Sequence, residues 1–190
     1  GVIPTVVKFR RFMAEWLKQL SKYVKIDYIH LTEANHSELR SIGAKTNLLA
    51  RDNFELSIAT YIEDLLIDNN RINVIVPEKD YYIHNLSGYN FLLHHGHGRA
   101  RGKNKEKFVS DIQRKERIFI DYVVLGHTHN EDITTLGEMG DHDVQVLVIP
   151  SIIGTDGYAN YLNTGAKASG LMWRFTKEKG KDRTYKFILN

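Results

Sequence analysis

The 190-residue chain has no cysteine. That excludes a disulfide scaffold, thiolate nucleophiles, iron–sulfur clusters and cysteine-type zinc sites, and it agrees with a reducing compartment. Any metal must therefore sit on His, Asn, Asp or Glu. Long apolar runs are lacking too: stretches such as Tyr122 to Leu125 fall far short of the ~20 residues needed to cross a bilayer. No secretory leader is read at the start, so a soluble, cytoplasmic protein without a membrane partner is expected. There is little excess charge: 26 Lys and Arg against 23 Asp and Glu leave +3 with His neutral, too small by itself to argue for a polyanionic partner. Internal repeats and low-complexity segments are absent. Domains run to ~100 to 200 residues, so residues 1–190 are expected to form a single domain. The chain begins on Gly1 rather than Met, which leaves two readings, a tag remnant joined to a whole gene product or a fragment.

What is present is a mixture of the two hydrophobic periods. Pro4 sits where the first turn of a helix tolerates it, and Val7, Phe9, Phe12, Met13, Trp16, Leu17, Leu20 and Val24 follow at threes and fours, predicting an amphipathic helix over Pro4 to Tyr23. Ile26 to Leu31 reads as a strand delivering Glu33 to Arg40 into a loop, and Phe54 to Ile67 as a second helix. Ile72 to Val76, Tyr81 to His84 and Tyr89 to His94 are short strand candidates that suggest a meander. A Gly- and Lys/Arg-rich loop, Gly96 to Asn104, leads into a predicted helix, Lys105 to Glu116, and then into the apolar run Ile118 to Leu125, read as a buried strand. Gly137 to Asp143 looks like a turn before the strand Val144 to Ile149. Leu171 to Phe175 and Tyr185 to Leu189 are expected to pair around Lys179-Gly180-Lys181. Strands interleaved with helices make the fold α/β or α+β. The irregular stretch Pro150 to Ala168 is long for a structureless loop, which favours function or local order.

Of nine histidines, six fall in three stretches: Ala34-Asn35-His36-Ser37, His94-His95-Gly96-His97 and Gly126-His127-Thr128-His129. Each follows a predicted strand. If those strands are neighbours in one sheet, their ends bring Asn35, His95, His127 and His129 to a common edge. Neutral imidazole suits Mn, Fe, Zn or Ni, and an amide oxygen is a harder ligand that suits a site also taking phosphate or water. Gly126 is expected to turn the backbone so that His127 and His129 reach adjacent ions. His94 should face away from His95 and pack or meet solvent, while His97 is placed to touch substrate.

These residues resemble the pattern of the calcineurin-like metallophosphoesterases. That family's order is Asp-x-His, Gly-Asp-x-x-Asp, Gly-Asn-His-(Asp/Glu), a later His usually followed by Gly, and finally Gly-His-x-His. The last three elements stand here in order between Asn35 and His129. Gly126-His127-Thr128-His129 matches unchanged and His95-Gly96-His97 takes a form found in small members, whereas Ala34 and Ser37 depart from the Gly and the carboxylate that flank Asn-His. Neither of the first two motifs precedes Asn35, and Gly140-Asp141-His142-Asp143 is a turn-like stretch with the wrong spacing. The resemblance covers the C-terminal two-thirds of the family's domain. It implies a four-layer αββα sandwich with its N-terminal strands missing. It also implies that Asn35, His95 and His127 hold one ion, that His129 contributes to another, and that His36 faces the phosphate as a general acid. Two divalent ions ~3.5 to 4 Å apart would activate water and stabilise the pentacovalent phosphorus. With four neutral ligands and no carboxylate to offset the charge, a lone site or none is expected for these 190 residues, and catalysis is expected to need an upstream segment.

Arg99, Arg101, Lys103, Lys105 and Lys107 lie close after the His95 motif with only Glu106 among them, and Arg114, Lys115 and Arg117 lie just beyond. Such a run is commonly a solvated face. Beside a phosphoesterase centre it would attract a phosphate-ester polyanion such as DNA or RNA without base specificity, with Arg99 and Arg101 as the substrate contacts. Three readings stand: a phosphodiesterase or nuclease, a degenerate member that binds metal or nucleic acid without hydrolysis, and a structural zinc or nickel site. If the sheet lacks its family strands, an open apolar edge must be closed by a companion segment, a strand-exchanged or edge-paired dimer, or some other device.

Overall fold

The computed structural model describes residues 2–34, 37–39, 53–139, 142–154 and 167–189. The chain divides into two compact units, Gly1–Asp80 and Tyr81–Asn190.

The first unit contains α1 (Val2–Ser21), β1 (Ile26–Ile29), α2 (Phe54–Leu66) and β2 (Ile72–Ile75). β1 and β2 pair in parallel, Ile26 opposite Ile72 and Ile29 opposite Ile75. Successive strand residues point to opposite faces, so Ile26, Tyr28, Ile72 and Val74 share one face. Against it pack Ala14 and Leu17 of α1 and Ile58, Ile62 and Leu66 of α2. The stripe read along α1 is therefore two stripes. Met13 and Leu17 face the core together with Val6 and Ala14, but Phe12 and Trp16 are 62% and 49% exposed and Phe9 and Leu20 are also exposed. A helix apolar on more than one face offers two candidate core sides, and periodicity cannot choose between them.

The second unit is built on a five-stranded sheet in the order β3 (Tyr81–Leu86), β4 (Tyr89–His94), β5 (Tyr122–Leu125), β7 (His142–Val148), β6 (Asp132–Met139). β4, β5 and β7 run parallel, and β3 and β6 are antiparallel edges. Alternation sorts the side chains between the two faces. Leu92, Val123, Leu125, Val144, Val146 and Val148 meet Phe108, Val109 and Ile112 of α3 (Lys105–Glu116). Phe91, Tyr122 and Leu147 meet Trp173 and Phe175 of β8 (Ser169–Thr176), which pairs with β9 (Gly180–Ile188). This unit thus has three layers: helix, mixed sheet and hairpin. The hairpin's Gly180 adopts φ +63°, and a Cβ there would stand 2.5 Å from the Tyr122 hydroxyl, which accepts a hydrogen bond from the Lys181 amide (3.1 Å).

The α/β class is what the structure shows, with two corrections of detail. The meander does not form, because β2 pairs with β1 and, of the three candidate strands, β3 and β4 alone pair with each other. The apolar run from Ile118 is a strand only from Tyr122. α3 ends on Arg117 in the left-handed conformation (φ 54°), the Ile118 amide bonds back to the Gln113 carbonyl, and the Ile120 amide bonds to the Gln113 side chain. Ile120 is buried in that irregular segment, so an apolar run marks burial here without marking pairing. Among the described residues no helix is long and apolar enough to cross a membrane.

Candidate metal and phosphate site

Because β4 and β5 are adjacent and parallel, with His94 level with Leu125, the residues after each strand emerge at the same edge of the sheet. This is where open α/β sheets place their ligands. The rings of His95 and His127 lie 5.2 Å apart between centroids, those of His95 and His97 5.3 Å, and those of His97 and His127 6.2 Å. Three imidazoles from two strand ends thus meet. The backbone beneath them is tight: the Gly126 amide donates to the His95 carbonyl (3.1 Å) and the Thr128 amide to the Gly126 carbonyl (2.8 Å).

The glycine that this approach requires is Gly96. It adopts φ +103°, and a Cβ on it would stand 2.7 Å from the Gly126 carbonyl oxygen. Gly126 itself has no positive φ. The left-handed residues of its loop are His127 (φ 67°) and His129 (φ 62°), which corrects the expectation that Gly126 would make the turn. A left-handed conformation costs a non-glycine residue on the order of 1 to 3 kcal/mol and tends to persist where the surroundings fix it, often at functional positions.

His94 is buried on the α3 face, its ring 4.9 Å from that of Phe108 and 5.5 Å from that of His97. Its Nδ1 accepts the Gly96 N–H at 2.8 Å, so the neutral ring carries its proton on Nε2. Packing is therefore its fate, with the added task of holding the turn that presents His95. His97 caps a 3-10 turn, Gly98–Ala100. Its ring stands beside those of His95 and His127. Arg99 and Arg101 follow at once and are exposed, the Arg99 guanidinium lying 5.0 Å from the Phe108 ring centroid. His129 has an exposed side chain, and its carbonyl accepts the Ser151 amide (3.2 Å).

Asn35 and His36 lie outside the described residues; their neighbours do not. The Ala34 carbonyl accepts the Ser37 amide (3.4 Å) and the Asn53 side-chain amide (2.9 Å), and the Ser37 carbonyl accepts the Phe54 amide (3.0 Å). Asn53 is the N-cap of α2, its Oδ1 accepting the Glu55 amide at 3.0 Å. Glu55 in turn meets His30 (Nε2 to Oε2, 2.8 Å), and His30 Nδ1 meets the Tyr28 hydroxyl (2.7 Å). Burial, and secondly the Glu55 charge, push Tyr28 up from 10.0 to about 12, so this hydroxyl keeps its proton throughout the neutral range. The Tyr28, His30 and Glu55 constellation was missed in the sequence. Its one signal is that Tyr28 and His30 stand two apart in a predicted strand.

The donor chemistry of His95, His97 and His127 fits a divalent cation of the manganese to zinc range. Among the described residues, however, no group of three or more His, Cys, Asp or Glu side chains presents its donors as a ready metal site. These imidazoles need a further ligand, or adjustment of their rings, to close around an ion.

No family model matches the chain. It is 40% identical over all 190 residues to a Bacillus subtilis (strain 168) protein described as SPbeta prophage-derived uncharacterized protein YonJ, and it spans 46% of that protein's length. Among solved structures it is similar to an archaeal phosphodiesterase (TM-score 0.44, 16% identity, 73% of this chain and 64% of that one). It is also similar to wild-type Vps29 of Entamoeba histolytica complexed with zinc (TM-score 0.41, 16% identity, 68% and 76%). A third is a predicted phosphoesterase of Streptococcus pneumoniae (TM-score 0.35, 14% identity, 64% and 75%).

Proposed function

We propose that this chain forms part of a metal-dependent phosphoesterase, of phosphodiesterase or nuclease type. The observation that carries the reading is the meeting of His95, His97 and His127 at the ends of two adjacent parallel strands. The motif order from Asn35 to His129 supports it. His95 and His127 are the metal ligands, with Asn35 as a further ligand and His129 contributing to a second ion. A divalent cation held there supplies water activation and neutralises phosphate charge. His36 donates a proton or a hydrogen bond to the leaving oxygen. His97, Arg99 and Arg101 bind the phosphate ester, and the lysines that follow widen the attraction to DNA or RNA. The carboxylates that would balance a second cation are absent from the three motifs, so the complete reaction uses chain beyond these residues. An edge-paired or strand-exchanged dimer is the partner that accompanies this reading.

The test is hydrolysis of bis(p-nitrophenyl) phosphate with manganese by the polypeptide that carries these residues together with any flanking chain. The expected result is metal-dependent turnover, reduced at least roughly hundredfold by His36→Ala. A second reading, binding of metal or nucleic acid without hydrolysis, is favoured by Ala34 and Ser37 standing where the family pattern has Gly and a carboxylate. Manganese binding without turnover would select it.

A further inference from the structure

The Tyr28, His30 and Glu55 chain has no place in the chemistry above, yet it ties β1 to the start of α2 through side-chain hydrogen bonds. Its proton pattern follows from chemistry. A carboxylate oxygen only accepts, so the 2.8 Å contact is His30 Nε2–H donating to Glu55. In the neutral ring Nδ1 is then the acceptor, and the Tyr28 hydroxyl donates to it across 2.7 Å. One tautomer satisfies both bonds.

The placement matters as much as the bonds. His30 directly follows β1, and its amide donates to the Ile75 carbonyl (3.0 Å), extending the ladder with β2 by one more bond. Glu55 stands in the first turn of α2. Its amide bonds the Asn53 side chain, which also holds the Ala34 carbonyl, while the next-door Phe54 amide holds the Ser37 carbonyl. Ala34 and Ser37 are thereby fastened to the start of α2, and His30 fastens that start to β1. Buried, with only 8% exposure, His30 is shielded from competing water.

We propose that His30 is a positioning residue: the Tyr28–His30–Glu55 chain holds the start of α2, and through it the flanks of Asn35 and His36, in register for the reaction. This rests on the reading that Asn35 and His36 serve a phosphoesterase centre. The role belongs to hydrogen bonding and requires no change of protonation.

The experiment compares Glu55→Ala, Glu55→Gln and Tyr28→Phe with the unaltered protein in three readouts: amide exchange, ring-nitrogen NMR of 15N-labelled histidine, and steady-state hydrolysis. Glu55→Ala should speed exchange at the Ser37 and Phe54 amides roughly tenfold, with Val123 and Val146 unchanged. It should lower kcat about tenfold with little change in KM, the size seen when a supporting partner is removed. Glu55→Gln keeps an acceptor and should restore both. Tyr28→Phe, nearly isosteric, should leave the fold intact, keep the Nε2–H tautomer that Glu55 fixes and speed the same two amides a few-fold, whereas Glu55→Ala should let the second tautomer appear at His30. Normal exchange at Ser37 and Phe54 in both Glu55→Ala and Tyr28→Phe would overturn the proposal. So would a Glu55→Gln protein as impaired as Glu55→Ala. If the unaltered protein hydrolyses nothing while the exchange and tautomer effects are present, the structural link stands and the proposed function alone falls.

Discussion

The smallest features that decide the geometry of the candidate site are two backbone conformations and one missing Cβ. His127 and His129 accept the left-handed region that their neighbour Gly126 does not use, which puts local strain on the residues that carry the imidazoles. At Gly96 the neighbouring strand end leaves no room for a Cβ. Gly96→Ala combines an unfavourable φ of +103° with a Cβ 2.7 Å from a backbone oxygen, which cannot move aside as a flexible side chain would. We expect a loss of roughly 3 kcal/mol in urea unfolding. In a variant still folded at low temperature, the ring signals of His95 and His127 should shift. A Gly96→Ala protein as stable as the parent would show that the strand ends are not held this close. His94 is a second residue of this kind, since its ring orders the turn through the Gly96 amide and does so from the opposite face.

At the scale of elements, the clearest sequence signals were those with a single answer. Lys105 to Glu116 and Phe54 to Leu66 form helices where the spacing of Phe108, Val109 and Ile112, and of Ile58, Ile62 and Leu66, leaves one apolar face. β4 was legible as a strand, as was the pairing of β8 with β9. The failures share a cause as well: α1 carries two apolar faces, Ile118 to Ile120 is apolar without lying in a strand, and β2 finds its partner β1 across the whole of α2. Local pattern reports burial, whereas pairing is settled by distant chain. The Tyr28–His30–Glu55 chain was not legible as a unit because Tyr28 of β1 and His30 just after it meet Glu55 of α2, 25 residues beyond His30. Strand edges set the prediction at this scale. Among the described residues β1 and β2 form a sheet of only two strands, and an uncovered strand edge is a template for pairing with a second copy. Sedimentation equilibrium at micromolar concentration should return a dimer, and a monomer at every concentration would remove the edge-pairing proposal.

For the molecule as a whole, the motif set is divided: Asn35 and His36 belong to the unit Gly1–Asp80, and His95, His97, His127 and His129 to Tyr81–Asn190. The meeting of His95 and His127 was legible because both motifs follow strands and β4 and β5 are parallel neighbours, which lets primary order be turned into proximity. The place of His97 beside them was not, because it depends on a 3-10 turn that composition does not announce. The claim on which the rest depends is that these imidazoles bind a metal ion. Calorimetric titration of the chain with zinc or manganese tests it directly, alongside His95→Ala and His127→Ala. The account predicts one ion per chain in the parent protein, with affinity reduced at least roughly tenfold in each variant. Variants that bind as tightly as the parent, or a parent that binds no ion, would contradict it.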